Sequence, residues 1–280
     1  MQARGGNMNI KIDDIVVRKS YQKDIFFVVE EIDWVPKKGY MAILSGLIQR
    51  IKADAPLDDL EKISRAERTQ IIQKLEDKME ERRRNYLENC RKRNEKGEHV
   101  YIGKILHLDG DRRYSEKSAR YYRRIGLDAV VRNITERQQP YFVRNLLQKY
   151  RPDILIVTGH DSMLKNGVDY HDLNNYRNSK HFIRTVQEAR KWGKNSEELV
   201  IFAGACQSYF EAIMLAGADF ASSPGRILID FMDPLIVAEK VATTDQHQYV
   251  TASEIIEEIK EGMDGIGGTG ARGRKKTISM

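Results

Sequence analysis

Along residues 8–60, short runs of β-branched and aromatic side chains alternate with polar turn clusters. Ile15-Val16-Val17 and the stretches 25–32, 40–44 and 47–51 read as strands, and Lys37-Lys38-Gly39 and Ser45-Gly46 as turns. Strands this short and closely spaced predict a small all-β module, an SH3-like or Tudor-like barrel assigned to residues 1–62. From Ser64 to Asn94 there is no proline or glycine, helix formers dominate, and Ser64 with Glu67 carries a capping-box signature. The apolar stripe Ile72, Leu75, Met79, Tyr86 and Cys90 is thin and Arg82 interrupts it. Residues 63–97 therefore read as a helical connector or a weak coiled-coil partner, with Cys90 a packing residue.

Beyond Gly97 the period changes again. Apolar runs at 100–108, 127–131, 154–157, 199–202 and, more weakly, 218–221 alternate with helical stretches at 115–125, 137–150, 179–192 and 208–215. Two further helices are expected at 234–241 and 253–260. Repeated strand-helix units predict an α/β domain over 98–264, a mainly parallel sheet with helices on both faces. The glycine-rich, basic remainder, 265–280, reads as a mobile tail. Its Gly265-Ile-Gly-Gly-Thr-Gly resembles a dinucleotide fingerprint, but it follows a helix where that motif needs a preceding strand.

Composition narrows the class. In 280 residues, 41% apolar content is enough for a core, so wholesale disorder is excluded. No apolar run reaches the roughly 18 residues of a membrane helix, and residues 1–10 lack a hydrophobic signal core. Two cysteines, Cys90 and Cys206, exclude a disulfide framework and an all-cysteine zinc site. A soluble protein of a reducing compartment is the expectation, with no membrane partner. The net charge of +6 sits on the helix and tail: residues 61–96 and 265–280 each carry +4, leaving −2 elsewhere. The globular parts thus make no electrostatic case for nucleic acid.

In open α/β sheets the chemistry collects beyond the carboxyl ends of the strands. His107, Asp109 and Asp111 follow the first strand, Gly159, His160 and Asp161 the third, Gly204, Cys206 and Ser208 the fourth, Ser222 and Ser223 the fifth. A cysteine after a buried strand is often inert core. Here it precedes a predicted helix, whose positive end would favour a thiolate, and a histidine occupies the matching place on another strand. Such a pair suits attack on a carbonyl, with the imidazole handling the proton and an acyl-enzyme forming. His171, beside Asp172, is the second-choice base, and no histidine cluster has metal-ligand spacing.

The runs Asp153-Ile-Leu-Ile-Val-Thr-Gly-His-Asp161 and Leu199-Val-Ile-Phe-Ala-Gly-Ala-Cys206 resemble the caspase-type cysteine peptidases, in which a histidine ends one strand and an Ala-Cys pair the next. His107-Leu-Asp-Gly-Asp111, His171-Asp-Leu-Asn-Asn-Tyr-Arg177 and Phe220-Ala-Ser-Ser-Pro224, with Asp14-Ile-Val-Val-Arg-Lys-Ser-Tyr21, extend the likeness across the chain to the YabG family of sporulation-specific proteases. The resemblance implies a caspase-like domain with Cys206 as nucleophile and His160 as general acid/base. It also implies cleavage after arginine in spore coat proteins and spore-protein precursors, in the mother cell and developing coat, with no cofactor. Backbone groups at Gly159, Asp161 and Gly204 become the expected oxyanion donors. The wider clan has glycine after the histidine, where this chain has Asp161, and Gly204 is too small to set specificity.

A guanidinium in a specificity pocket requires carboxylates. Asp109 and Asp111 are the leading candidates for it, then Asp161, with Ser222 and Ser223 as further lining. Arg272 and Arg274 are candidates for self-processing. Among alternatives, Asp109-Gly-Asp111 mimics a magnesium-dependent phosphatase but lacks the later Gly-Asp-x-x-x-Asp pair. Glutamine amidotransferases carry their histidine after the cysteine, where only His247 lies here. The non-enzymatic alternative is a spore-assembly or nucleic-acid-binding protein acting through the N-terminal barrel.

Overall fold

The computed structural model describes residues 10–94, 99–164, 169–193, 195 and 197–278, with backbone alone at 89–94, 99 and 278. The side chain of Cys90 therefore lies outside the described residues. The chain divides into two compact units, Met1–Glu80 and Glu81–Met280.

In the first unit, β1 (Ile15–Arg18), β2 (Phe27–Val35), β3 (Gly39–Gly46), β4 (Lys52–Pro56) and β5 (Leu60–Lys62) form an antiparallel sheet in the order β4-β3-β2-β1-β5. Val16, Phe27, Val29, Ala42, Leu44, Ala55 and Leu60 make its core. Among the described residues no ladder joins β4 to β5. The strand expected at 47–51 is displaced to Lys52–Pro56. Gly46 donates to the Ile51 carbonyl across a tight turn, in which a Cβ at Gly46 would meet the Gln49 carbonyl at 2.1 Å. Ile51 is apolar because it packs on the core from that turn, not because it belongs to a strand.

Helix α1 (Arg65–Asn94) opens with the capping box read from sequence: Glu67 N–H donates to Ser64 Oγ, and Ser64 N–H to Glu67 Oε2. It runs through the division between the units.

The second unit follows in the order β6 (His99–Tyr101), β7 (Ile105–Asp109), α2 (Arg112–Ile125), β8 (Ala129–Asn133), α3 (Gln139–Tyr150), β9 (Ile154–Thr158), α4 (Ser179–Arg190), β10 (Val200–Ala203), α5 (Phe210–Leu215) and β11 (Phe220–Ser222). After these come α6 (Asp233–Thr243), β12 (Tyr249–Val250), α7 (Ala252–Ile256), β13 (Ile266–Gly268), β14 (Ala271–Arg272) and β15 (Lys276–Ile278). The main sheet has the order β13-β11-β10-β9-β7-β8, parallel from β8 to β11 with β13 antiparallel at one edge.

Strands β7, β9 and β10 are buried along their whole length, as a sheet covered on both faces requires. Leu106, Leu108, Leu155, Val157, Ile201 and Ala203 pack on one face against Val143 and Leu147 of α3, Phe182 and Val186 of α4, and Ile213 of α5. The alternate residues face the other side, where α2 and α6 contact the strands. This is an α/β fold with mixed sheets and flanking helices.

Two expectations change here. The single run at 100–108 is two strands, because at Gly103 the main chain packs so closely on Arg274 that a Cβ would lie 2.4 Å from that side chain. Residues 265–278 are not a mobile tail. Strand β13 extends the main sheet, β14 pairs with β12 and β15 with β6. The Gly273, Arg274 and Lys275 N–H groups donate to Gln248, Val241 and Thr244 carbonyls, and Arg274 is only 8% exposed. Cleavage after Arg272 or Arg274 would require these ladders to open. Among the described residues, no helix is long and apolar enough to cross a membrane.

Candidate active site

The carboxyl ends of β7, β9, β10 and β11 leave one edge of the sheet in register: Asp109 pairs with Thr158, Val157 with Ala203, and Ala203 with Ala221. His160 and Cys206 each lie three residues beyond the Val157–Ala203 pair. Neighbouring strands are about 4.8 Å apart, so the two turns start side by side.

The imidazole of His160 is held from the loop after β7. Its Nε2 lies 2.9 Å from Asp111 Oδ2, while Asp111 Oδ1 accepts the Tyr114 N–H at 3.1 Å and caps α2. Tyr114 meets the imidazole edge to face, with ring centroids 5.8 Å apart. A carboxylate accepts only, so Nε2 carries the proton and Nδ1 is the basic nitrogen of the neutral ring. The side chain is 21% exposed, enough for a reacting group to approach. His160 N–H donates to Glu136 Oε1 at 2.6 Å, and its carbonyl accepts from Asn178 Nδ2 at 2.8 Å. The Glu136 carboxylate lies over two glycines, since a Cβ at Gly110 or Gly159 would meet it at 2.2 Å.

Cys206 sits in a turn built by two left-handed residues, Gly204 (φ 117°) and Gln207 (φ 56°). A Cβ at Gly204 would come within 2.4 Å of Ser222 Oγ. The sulfur is buried and accepts the Ile229 N–H at 3.3 Å. Gln207 N–H donates to the Ile227 carbonyl and to Ser223 Oγ, and Ser222 Oγ donates to the Ala205 carbonyl. Helix α5 begins only at Phe210 and has six residues. The expectation that a helix directly follows Cys206 is corrected, because the dipole acts only within the first turn.

The carboxylates and serines expected to line a specificity pocket are engaged inside the protein. Asp109 is fully buried, with Oδ1 accepting the Asp111 N–H and Oδ2 3.7 Å from His107 Nε2. Asp111 is committed to His160 and to α2. Ser222 and Ser223 brace the cysteine turn. Of the expected oxyanion donors, Gly204 N–H continues the ladder to the Val157 carbonyl, and His160 N–H, between Gly159 and Asp161, already serves Glu136.

Asp161 is buried, and burial pushes its carboxyl up to about 6 against the hydrogen bonds it accepts. Oδ1 accepts the N–H groups of Ser162 and Asn178, and Oδ2 the hydroxyls of Ser179 and Ser208. His107 lies between Tyr122 and Thr158 as a buried core histidine, while His171 is exposed against Tyr209. Sequence reasoning missed Glu136, Ser179 and Ile229, and placed Ser208 at the strand end without a role.

The family model for YabG peptidase U57 matches residues 11–279. The chain belongs to the YabG peptidase family. It is 38% identical over 282 residues to the sporulation-specific protease YabG of Bacillus subtilis (strain 168), covering 95% of this chain and 96% of that relative. No solved structure matches the chain. As a member of the YabG family it is an enzyme that hydrolyses peptide bonds.

Proposed function

We propose that the chain is a sporulation-specific cysteine endopeptidase in which Cys206 is the nucleophile, His160 the general acid/base and Asp111 the group that orients His160. The observation that carries this reading is the Asp111–His160 pair at the end of β9, beside the turn that β10 leads into at Cys206. With Nε2–H held by Asp111, Nδ1 takes the thiol proton and the thiolate attacks the scissile carbonyl carbon. The C–S bond forms, the oxyanion is met by backbone N–H groups of the two turns other than those engaged above, and the C–N bond breaks as the imidazolium protonates the leaving amine. Water, deprotonated by the same ring, then attacks the thioester and releases the thiolate.

Substrates in this reading are proteins of the spore coat and spore precursors, in keeping with the relative's description as a sporulation-specific protease. Cleavage after arginine is part of the proposal. Because Asp109 and Asp111 are bonded internally, the guanidinium would have to displace one of them or meet other groups. The test is proteolysis by the purified full chain on arginyl and lysyl peptide amides. Loss of cleavage in both Cys206→Ala and His160→Ala supports the reading, and retained cleavage in Cys206→Ala ends it.

A further inference from the structure

The turn after β9 and the turn after β10 are tied together by one carboxylate. Asp161 directly follows His160. Its Oδ2 accepts the Ser208 hydroxyl at 3.0 Å, and Ser208 Oγ in turn accepts the N–H of Ala205, the residue before Cys206, at 2.9 Å. The same oxygen accepts the Ser179 hydroxyl, whose Oγ accepts the Tyr209 N–H at 2.8 Å. Oδ1 accepts the Ser162 and Asn178 N–H groups, and Asn178 returns a side-chain bond to the His160 carbonyl. Five backbone groups around the two turns are thus referred to one buried side chain.

We infer that Asp161 is a positioning residue: through Ser208 and Ser179 it sets where the His160 turn stands relative to the Cys206 turn. The inference rests on the proposed pairing of Cys206 with His160. A buried carboxylate is a costly way to fill space, and it persists where its acceptor capacity is fully used. Here each hydroxyl donates to the carboxylate and accepts from the cysteine turn, so movement of either turn breaks a bond on both sides of the relay. Reacting groups displaced by about 1 Å lose on the order of a hundredfold in rate.

The test compares the full-length protein with Ser208→Ala, Asp161→Ala, Asp161→Asn and the Asp161→Ala/Ser208→Ala double variant. Two quantities are read: the rate of iodoacetamide alkylation of Cys206 by peptide mass across a pH series, and kcat and KM on an arginyl peptide amide. Ser208→Ala and Asp161→Ala are each expected to slow alkylation and lower kcat by about ten- to a hundredfold with little change in KM. The double variant should be no worse than the weaker single, because Asp161→Ala already breaks the bond that Ser208→Ala removes. Asp161→Asn keeps an oxygen for the Ser162 and Asn178 N–H groups but places an NH2 group, which cannot accept, where Oδ2 takes the two hydroxyls, so it should show a loss like that of Ser208→Ala.

Folded Ser208→Ala with the alkylation rate and pH profile of the unaltered protein would overturn the inference, as would losses that multiply in the double variant. If Asp161→Ala does not fold, Ser208→Ala and Asp161→Asn carry the same decision. Peptidase activity surviving in Cys206→Ala would instead defeat the underlying pairing, an outcome separate from these.

Discussion

Asp111 divides its carboxylate between two tasks: Oδ2 holds Nε2 of His160 at 2.9 Å and Oδ1 caps helix α2 on the Tyr114 N–H at 3.1 Å. The ring's orientation is therefore anchored to a helix terminus 49 residues earlier in the chain. An aspartate in this position stabilises the imidazolium as it forms and fixes which nitrogen is basic.

The two tasks can be separated. Asp111→Ala should lose both, lowering kcat by about a hundredfold and stability by about 1 kcal/mol through the lost cap. Asp111→Asn keeps a capping oxygen, so its stability should stay near that of the unaltered protein while kcat still falls. Urea denaturation beside steady-state kinetics checks this, and equal kinetics in all three proteins would count against the orienting role.

Asp161 makes stability depend on pH in a stated direction. Its folded-state pKa, about 6, lies above the ordinary 3.8 because burial disfavours the charged form. The favourable contribution is complete below the ordinary value and is lost as pH rises through about 6. The unaltered protein should therefore lose stability between about pH 4 and neutral pH, by at most about 3 kcal/mol, a loss that Asp161→Asn, having no proton to release there, should not show. Denaturation midpoints at the two pH values measure it, and an Asn variant with the same pH dependence as the unaltered protein would contradict the sign.

Gly204 combines a φ of 117° with a Cβ position 2.4 Å from Ser222 Oγ. Gly204→Ala is expected to cost about 1–3 kcal/mol in backbone strain alone and to slow Cys206 alkylation by shifting its turn. Gly39, at φ 81° with only Trp34 near at 3.9 Å, is the control: Gly39→Ala carries strain without a clash and should leave alkylation unchanged.

Arg226 (φ 56°) donates to the Tyr176 hydroxyl, the Pro224 carbonyl and the Glu211 carboxylate, holding the loop whose Ile227 and Ile229 meet the cysteine turn. Arg226→Ala should cost about 1–3 kcal/mol and lower kcat more than it raises KM. Thermal melts and kinetics on the same preparation test this, and an altered KM with unchanged kcat would place the loop in substrate binding instead.

Much of the architecture is local in origin and was legible in the chain. The continuous apolar runs marked β7, β9 and β10, the Ser64/Glu67 pair marked the start of α1, and the strand-helix alternation marked the parallel sheet. His160 and Cys206 could be singled out because strand ends are set by where apolar runs stop, and parallel register then carries both to one edge. The tail was misread for a complementary reason. Glycines 267 and 268 look flexible in isolation, yet they pair with Ala221 and Phe220, and a Cβ at Gly268 would meet the Asp219 carbonyl at 2.3 Å.

The tertiary structure alone decided what each carboxylate does. Asp109, Asp111, Glu136 and Asp161 are indistinguishable as acidic residues near strand ends. One is bonded within its own turn, one orients the imidazole, one takes the His160 amide and one joins two turns. A carboxylate's role depends on which donors lie within about 3 Å. Those donors arrive from residues dozens of positions away, once the sheet has brought its loops together.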